Sequence, residues 1–217
     1  MINLDPIVLA FALGLVALVP LIVVTTTSFL KLSVVLSLVR NALGVQQAPP
    51  NIALYALALM LTVFIMTPVG YEMSEAFESQ PAPTANLQSL LIAARAGAEP
   101  MRKFLFANSK QDQREFFLSQ AKRMWPPKVA DAARHDDLVI LIPAFVVSEL
   151  TAAFEIGFLL FLPFIVIDLV ISNILMAMGM MMVSPVTISL PLKLFLFVMV
   201  DGWSRLLLPA CTIALAK

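Results

Sequence analysis

The stretch PFIVIDLVISNILMAMGMMMVSP, Pro163–Pro185, decides how this chain is read. From Leu169 to Leu192 there are 24 residues without a charge, and a membrane-spanning helix needs about 20 mostly apolar ones. The run is nevertheless unlike a simple lipid-facing span. Asp168 stands at its head, Pro185 interrupts it, and five of the twelve methionines fall between Met176 and Met182. Consecutive helical positions point in different directions, so Met180, Met181 and Met182 cannot all serve one core face. Gly179 before them and Ser184–Pro185 after them predict a break, with the methionines on a loop. Methionine is unbranched and polarizable, so a ring of such side chains can close around an opening and yield to objects of different shape. Ordinary core filler is the alternative reading of the same cluster.

Composition narrows the class. Of 217 residues 60% are hydrophobic and 13% charged, with 14 basic and 14 acidic side chains, where a soluble domain carries about 25% charge and about 45–50% apolar residues. That much apolar surface excludes a disordered chain. A net charge of zero without a basic block excludes nucleic acid as a partner. Cys211 is the one cysteine and His135 the one histidine, too few for a disulfide or a metal site. They read as a packed thiol and a surface imidazole. No HExxH, GxSxG, CxxC or glycine-rich phosphate loop occurs, so the chain is expected to be no enzyme and to carry no cofactor or metal. Asp168 and Asp201 are conceivable as an intramembrane protease pair, but neither lies in a recognisable motif.

The charges divide the chain into an N-terminal apolar part (1–71), a polar middle (72–137) and a C-terminal apolar part (138–217). Pro6–Leu30 and Asn41–Tyr71 are uncharged over 25 and 31 residues, whereas Arg95–Asp137 holds 15 of the 28 charges. The N-terminal run has Asp5 and no cation ahead of it and is too long for a signal peptide, so it reads as a retained helix, kinked at Pro20. Lys31 and Arg40 flank the second apolar stretch, Ile52–Val69, across a loop marked by Gly44 and Pro49–Pro50, and favour placing that loop in the cytoplasm. The middle reads as short helices after a turn at Pro81 and Pro83: one through Leu87, Leu90, Leu91 and Ala94, another starting at Glu99–Pro100, and a third over Gln111–Trp125 stopped by Pro126–Pro127. In the last third, Pro143, Pro163, Pro185, Pro191 and Pro209 argue against long straight spans. Glu149, Glu155, Asp168 and Asp201 interrupt the apolar run, and carboxylates in hydrocarbon usually face protein or a water path. The fold class expected is all-α: long proline-kinked apolar helical hairpins with a small polar helical segment.

PAFVVSELTAAFEIGF (Pro143–Phe158), the Pro163–Pro185 stretch and SFLKLSVVLSLVRNALGVQQAPPN (Ser28–Asn51) together resemble the FliP/SctR family. These are export-gate proteins of bacterial type III secretion systems and flagella. Lacking the longer N-terminus and cleavable signal of flagellar members, the chain resembles the virulence-associated, or injectisome, branch. The resemblance implies a homopentameric ring joined by SctS-like and SctT-like subunits into a helical, cone-shaped pore. SctU-like and SctV-like components and unfolded secreted polypeptides would be further partners. The assembled gate would belong to the bacterial inner membrane, lying largely on its periplasmic side, with membrane lipid around a chain that scores as multi-pass. Met180–Met182 would form a gasket closing the pore. Lys193, the one cation between Arg134 and Arg205, is expected to pair with Glu149 of an adjacent subunit, because an unpaired buried ion costs several kcal/mol. Glu155 and Asp168 are expected at subunit or partner contacts. The rivals are a flagellar export gate, a passive scaffold, and a small-solute or proton transporter using Glu149, Glu155 and Asp168 as a relay, though the two apolar thirds show no internal repeat of the kind many transporters have.

Overall fold

The computed structural model describes residues 6–45, 48–80, 87–180 and 182–204. Among the described residues eight helices follow one another: α1 Pro6–Thr26, α2 Phe29–Leu43, α3 Asn51–Glu78, α4 Leu87–Asn108, α5 Gln111–Met124, α6 Pro127–Ala130, α7 Leu138–Ala177 and α8 Pro185–Met199. Among the described residues there is no strand. Met181, Arg205, Pro209, Cys211 and the expected turn at Pro81 and Pro83 lie outside them. Helices α3 and α7 are long and apolar enough to cross a membrane; α1 and α2, joined at a break around Thr27–Ser28, together form a third such stretch.

Three prolines that argue for breaks do not make them. α7 runs for 40 residues through Pro143 and Pro163, and α4 is one helix through Pro100. A proline removes one helical hydrogen bond and crowds the carbonyl a turn earlier. In an apolar chain, breaking the helix outright would strand several backbone groups instead of one. In α4, the expected helix start at Glu99 is instead an internal turn, where both Glu99 carboxylate oxygens accept from Arg102 at 2.7 and 3.0 Å.

The chain divides into two compact units, and the division falls inside α3 and α7. The first comprises residues 1–29 and 69–146. Here the start of α7 is held from two sides. Leu141 and Phe145 pack with Leu105, flanked by Met101 and Phe104 of α4, while Ile140 packs with Leu118 and Ala121 of α5 and with Trp125. The α4–α5 turn is closed by Arg114, which donates to the Phe106 carbonyl at 2.9 Å and to Ser109 Oγ at 3.0 Å, with its guanidinium 4.1 Å above the Phe106 ring. α5 carries Asp112 in its first turn and Lys122 and Arg123 in its last, the arrangement the helix dipole favours.

The second unit comprises residues 30–68 and 147–217. α2 is its most enclosed helix, burying Leu32, Val35, Leu36, Val39 and Leu43 at helical spacing. α3 contributes the stripe Leu54, Ala58, Thr62 and Ile65, and α8 the stripe Ser189, Lys193 and Phe197. α7 approaches α2 closely at Gly157, where a Cβ would lie 3.2 Å and 3.3 Å from Leu38 Cβ and Cγ. By contrast, nothing surrounds Gly70 within 4 Å of such a Cβ. Replacing Gly157 by Val should therefore destabilise the detergent-solubilised chain by about 1–3 kcal/mol through overpacking. Gly70→Ala should leave it unchanged or stabilise it by up to ~1 kcal/mol through helix propensity. Thermal unfolding followed by circular dichroism distinguishes the two.

Candidate functional site

Cations are scarce in α2, α7 and α8, and each of the two lysines there has a carboxylate within the chain. Lys31 on α2 is 2% exposed and Glu149 on α7 is 3% exposed; their Nζ and Oε1 atoms are 2.7 Å apart. Lys193 on α8 is also buried and donates to Asp168 Oδ2 at 2.6 Å. Its ammonium donates in addition to the carbonyl of Ala42 at 3.2 Å. Ala42 belongs to the last turn of α2, where carbonyls lack helical partners and a cation complements the negative end of the dipole.

The pairing of Lys193 with Glu149 was expected between adjacent subunits; within the chain Glu149 is paired with Lys31 and Lys193 with Asp168. Lys31 has a partner that its spacing in the sequence did not reveal. It counted there as a loop-flanking charge that reports membrane topology, yet it faces the interior of its unit. The clue lay in LKLSVVLSLV, where a lone lysine stands between residues of the buried face. Arg40, its companion in that argument, is half-buried and ties down the loop to α3 through Asn51 Oδ1 and the Pro49 carbonyl.

The four expected contact residues differ in environment. Glu149 is enclosed. Glu155, six positions on, lies on the exposed side of α7, as 100° per residue requires. The Asp168 side chain is 40% exposed, and its second oxygen, Oδ1, is buried without a hydrogen-bond partner among the described residues. Along a continuous helix of 1.5 Å per residue, Glu149 and Asp168 are separated by about 28 Å. A direct proton relay through them has no continuous path along this helix.

The methionine segment lies where Gly179 and Pro185 place it, between α7 and α8. Gly179 adopts φ +73° and donates to the Met176 carbonyl at 3.0 Å, while Met180 N–H donates to the Leu175 carbonyl at 3.0 Å. This pair of bonds with a left-handed glycine is a Schellman closure of the helix. Pro185 begins α8 at a position where a missing N–H leaves nothing unsatisfied. Met180 is 39% exposed and Met182 fully exposed, and Met176 and Met178 are exposed as well. Within the chain these methionines fill no core.

Burying two ions is offset only by their mutual attraction, so the Lys31–Glu149 pair makes a sharp prediction. Lys31→Met leaves Glu149 uncompensated and should cost about 3–5 kcal/mol of stability, whereas Lys31→Met with Glu149→Leu should recover most of that loss. Lys193→Met should cost less, since Asp168 can reach solvent. Denaturant unfolding of the four chains in one detergent checks the order.

Comparison with known proteins agrees on one family. Residues 12–209 match the FliP family. The chain is 54% identical over 202 residues to Yop proteins translocation protein R of Yersinia pestis, covering 93% of both chains. It is 51% identical over 199 residues to virulence protein YscR of Salmonella typhimurium, covering 92% of both. It is 47% identical over 203 residues to harpin secretion protein HrcR of Erwinia amylovora, covering 94% of both.

Proposed function

We propose, because this chain belongs to the FliP family, that its work is to line the protein-conducting gate of a type III secretion export apparatus. The relatives carry names of translocation, secretion and virulence proteins, and the protein is a component of that apparatus. The chain acts as a wall and a closure, and the polypeptide it passes is unfolded. Five copies form the ring, with SctS-like and SctT-like subunits completing the pore and SctU-like and SctV-like components beside it. The ring sits at the bacterial inner membrane, largely on its periplasmic side, with the polar segment 72–137 facing the periplasm. Glu155 and Asp168 make contacts between subunits; the unpartnered oxygen of Asp168 suits a donor from a neighbour.

The methionine turn carries this reading. A helix stopped by Gly179 and restarted at Pro185 leaves a short loop whose apolar side chains, Met180 and Met182 among them, have no core to enter within their own chain. Water-exposed apolar side chains gain by meeting one another, and five such loops around an axis would exclude water and ions. Methionine has three rotatable bonds and no branching, so the closure can open around peptides of many shapes.

Replacing Met180, Met181 and Met182 together by alanine should let the resting apparatus leak ions and small dyes, measured as dye entry into cells. The stability of the isolated chain should change by under about 0.5 kcal/mol per site at Met180 and Met182, since exposed positions carry little of it. A tight barrier in the alanine variant would remove the gasket from the account.

A further inference from the structure

The first unit carries two charged faces of opposite sign on different elements. The last turns of α3 hold Glu72, Glu75 and Glu78, all exposed, and no lysine or arginine occurs between Arg40 and Arg95. At 100° per residue, Tyr71, Glu75 and Glu78 form one stripe with Glu72 beside it. Tyr71 is 73% exposed. The second face is the turn from α5 into α6. Lys122, Arg123 and Lys128 are exposed there, with Met124, 78% exposed, among them. Asp131 follows at the end of α6, so the turn holds three cations against one carboxylate. The carboxylates that share a groove with Trp125 and Pro126 are engaged. Asp136 holds Arg102 at 2.7 Å, and Asp137 Oδ2 accepts from the Arg134 backbone N–H at 2.7 Å.

Among the described residues Glu72, Glu75, Glu78, Lys122, Arg123 and Lys128 make no ion pair. Packing joins the two faces only through intervening elements. α4 lies on α3 at Gly97, where a Cβ would meet the Met73 carbonyl and Phe77 at 3.4 Å. α4 then packs on the start of α7 through Leu105, Leu141 and Phe145, and α7 packs on α5 through Ile140, Leu118 and Ala121. The acidic face and the basic turn stand at the two ends of that series.

Such a unit is complementary to a second copy of itself. Each copy can offer its acidic face to one neighbour and its basic turn to the other, and head-to-tail contacts of this kind close into rings when the rotation allows. Exposed ion pairs are individually weak. Opposed patches nevertheless select the partner and fix the register, because a wrong docking sets like charges together. The same contact would cover Tyr71 and Met124, and a thioether against an aromatic ring is favourable.

We propose that the α3 face of one copy, formed by Tyr71, Glu72, Glu75 and Glu78, docks on the Lys122–Lys128 turn of the next. The contact rests on the ring proposed above and names faces that join its subunits.

The test uses the full-length chain in the purified export complex, assembled from a mixture of light-isotope and heavy-isotope copies. A carbodiimide joins carboxylates to amines that touch them. The expected product is a mixed-isotope peptide pair linking Glu72, Glu75 or Glu78 to Lys122 or Lys128. Changing Glu72, Glu75 and Glu78 all to Lys, or Lys122, Arg123 and Lys128 all to Glu, should lower the yield of multi-copy complex by more than about ten-fold. The chain carrying both sets of changes should restore it. Absence of the mixed-isotope link in the unaltered complex overturns the proposal, even where the variants fail to fold. So does full assembly of both triple variants. A link from these residues to a different subunit overturns it too, and makes that subunit the occupant. An unaltered complex holding a single copy of the chain removes the ring itself, and the contact with it.

Discussion

A lysine enclosed by leucines and valines persists only beside an anion, and that constraint organises the second unit. Lys31 and Glu149 sit 2.7 Å apart with almost no solvent at either, fixing α2 against α7 at one register, since a shift by one residue would leave both ions unpaired. Two turns beyond Glu149 the same two helices meet again where Gly157 accommodates Leu38. At the far end of α2, Lys193 closes the helix by taking the Ala42 carbonyl and Asp168 together. Apolar packing supplies most of the favourable energy in such a unit, but it is non-directional. The ion pairs supply the direction.

That framework explains how a chain so poor in charge can present so much apolar surface without losing its fold. The buried stripes of α2, α3 and α8 are complete within the second unit, while much of α7 and the outer faces of α3 remain exposed: Phe64, Tyr71, Phe158, Leu159 and Val166 among them. Patches of that extent mark lipid or protein neighbours. In an export apparatus both are present. The methionine turn belongs to the same pattern, a local closure of the backbone that leaves its side chains for something outside the chain.

Much of this was legible beforehand, and the failures have physical causes. The helix over Gln111–Trp125, the apolar helix beginning near Ile52 and the break between Gly179 and Pro185 follow from periodicity, capping and proline placement, all of which are local. What stayed hidden depends on partners distant in sequence. Pro100 and Pro163 carry the same local signature as Pro185, but only at Pro185 does a left-handed glycine precede to release the helix. The role of Lys31 could not be read from spacing, because its partner lies 118 positions away. With Lys31 counted as a cation flanking a loop, Glu149 was left to Lys193, the one cation between Arg134 and Arg205.

The most direct test is the environment of Glu149 in an experimental structure of the assembled export complex. The account predicts Lys31 Nζ of the same chain within hydrogen-bond distance of the Glu149 carboxylate, with Lys193 held by Asp168 and the end of α2. Glu149 bound instead by Lys193 of a neighbouring chain, with Lys31 turned away, would contradict it.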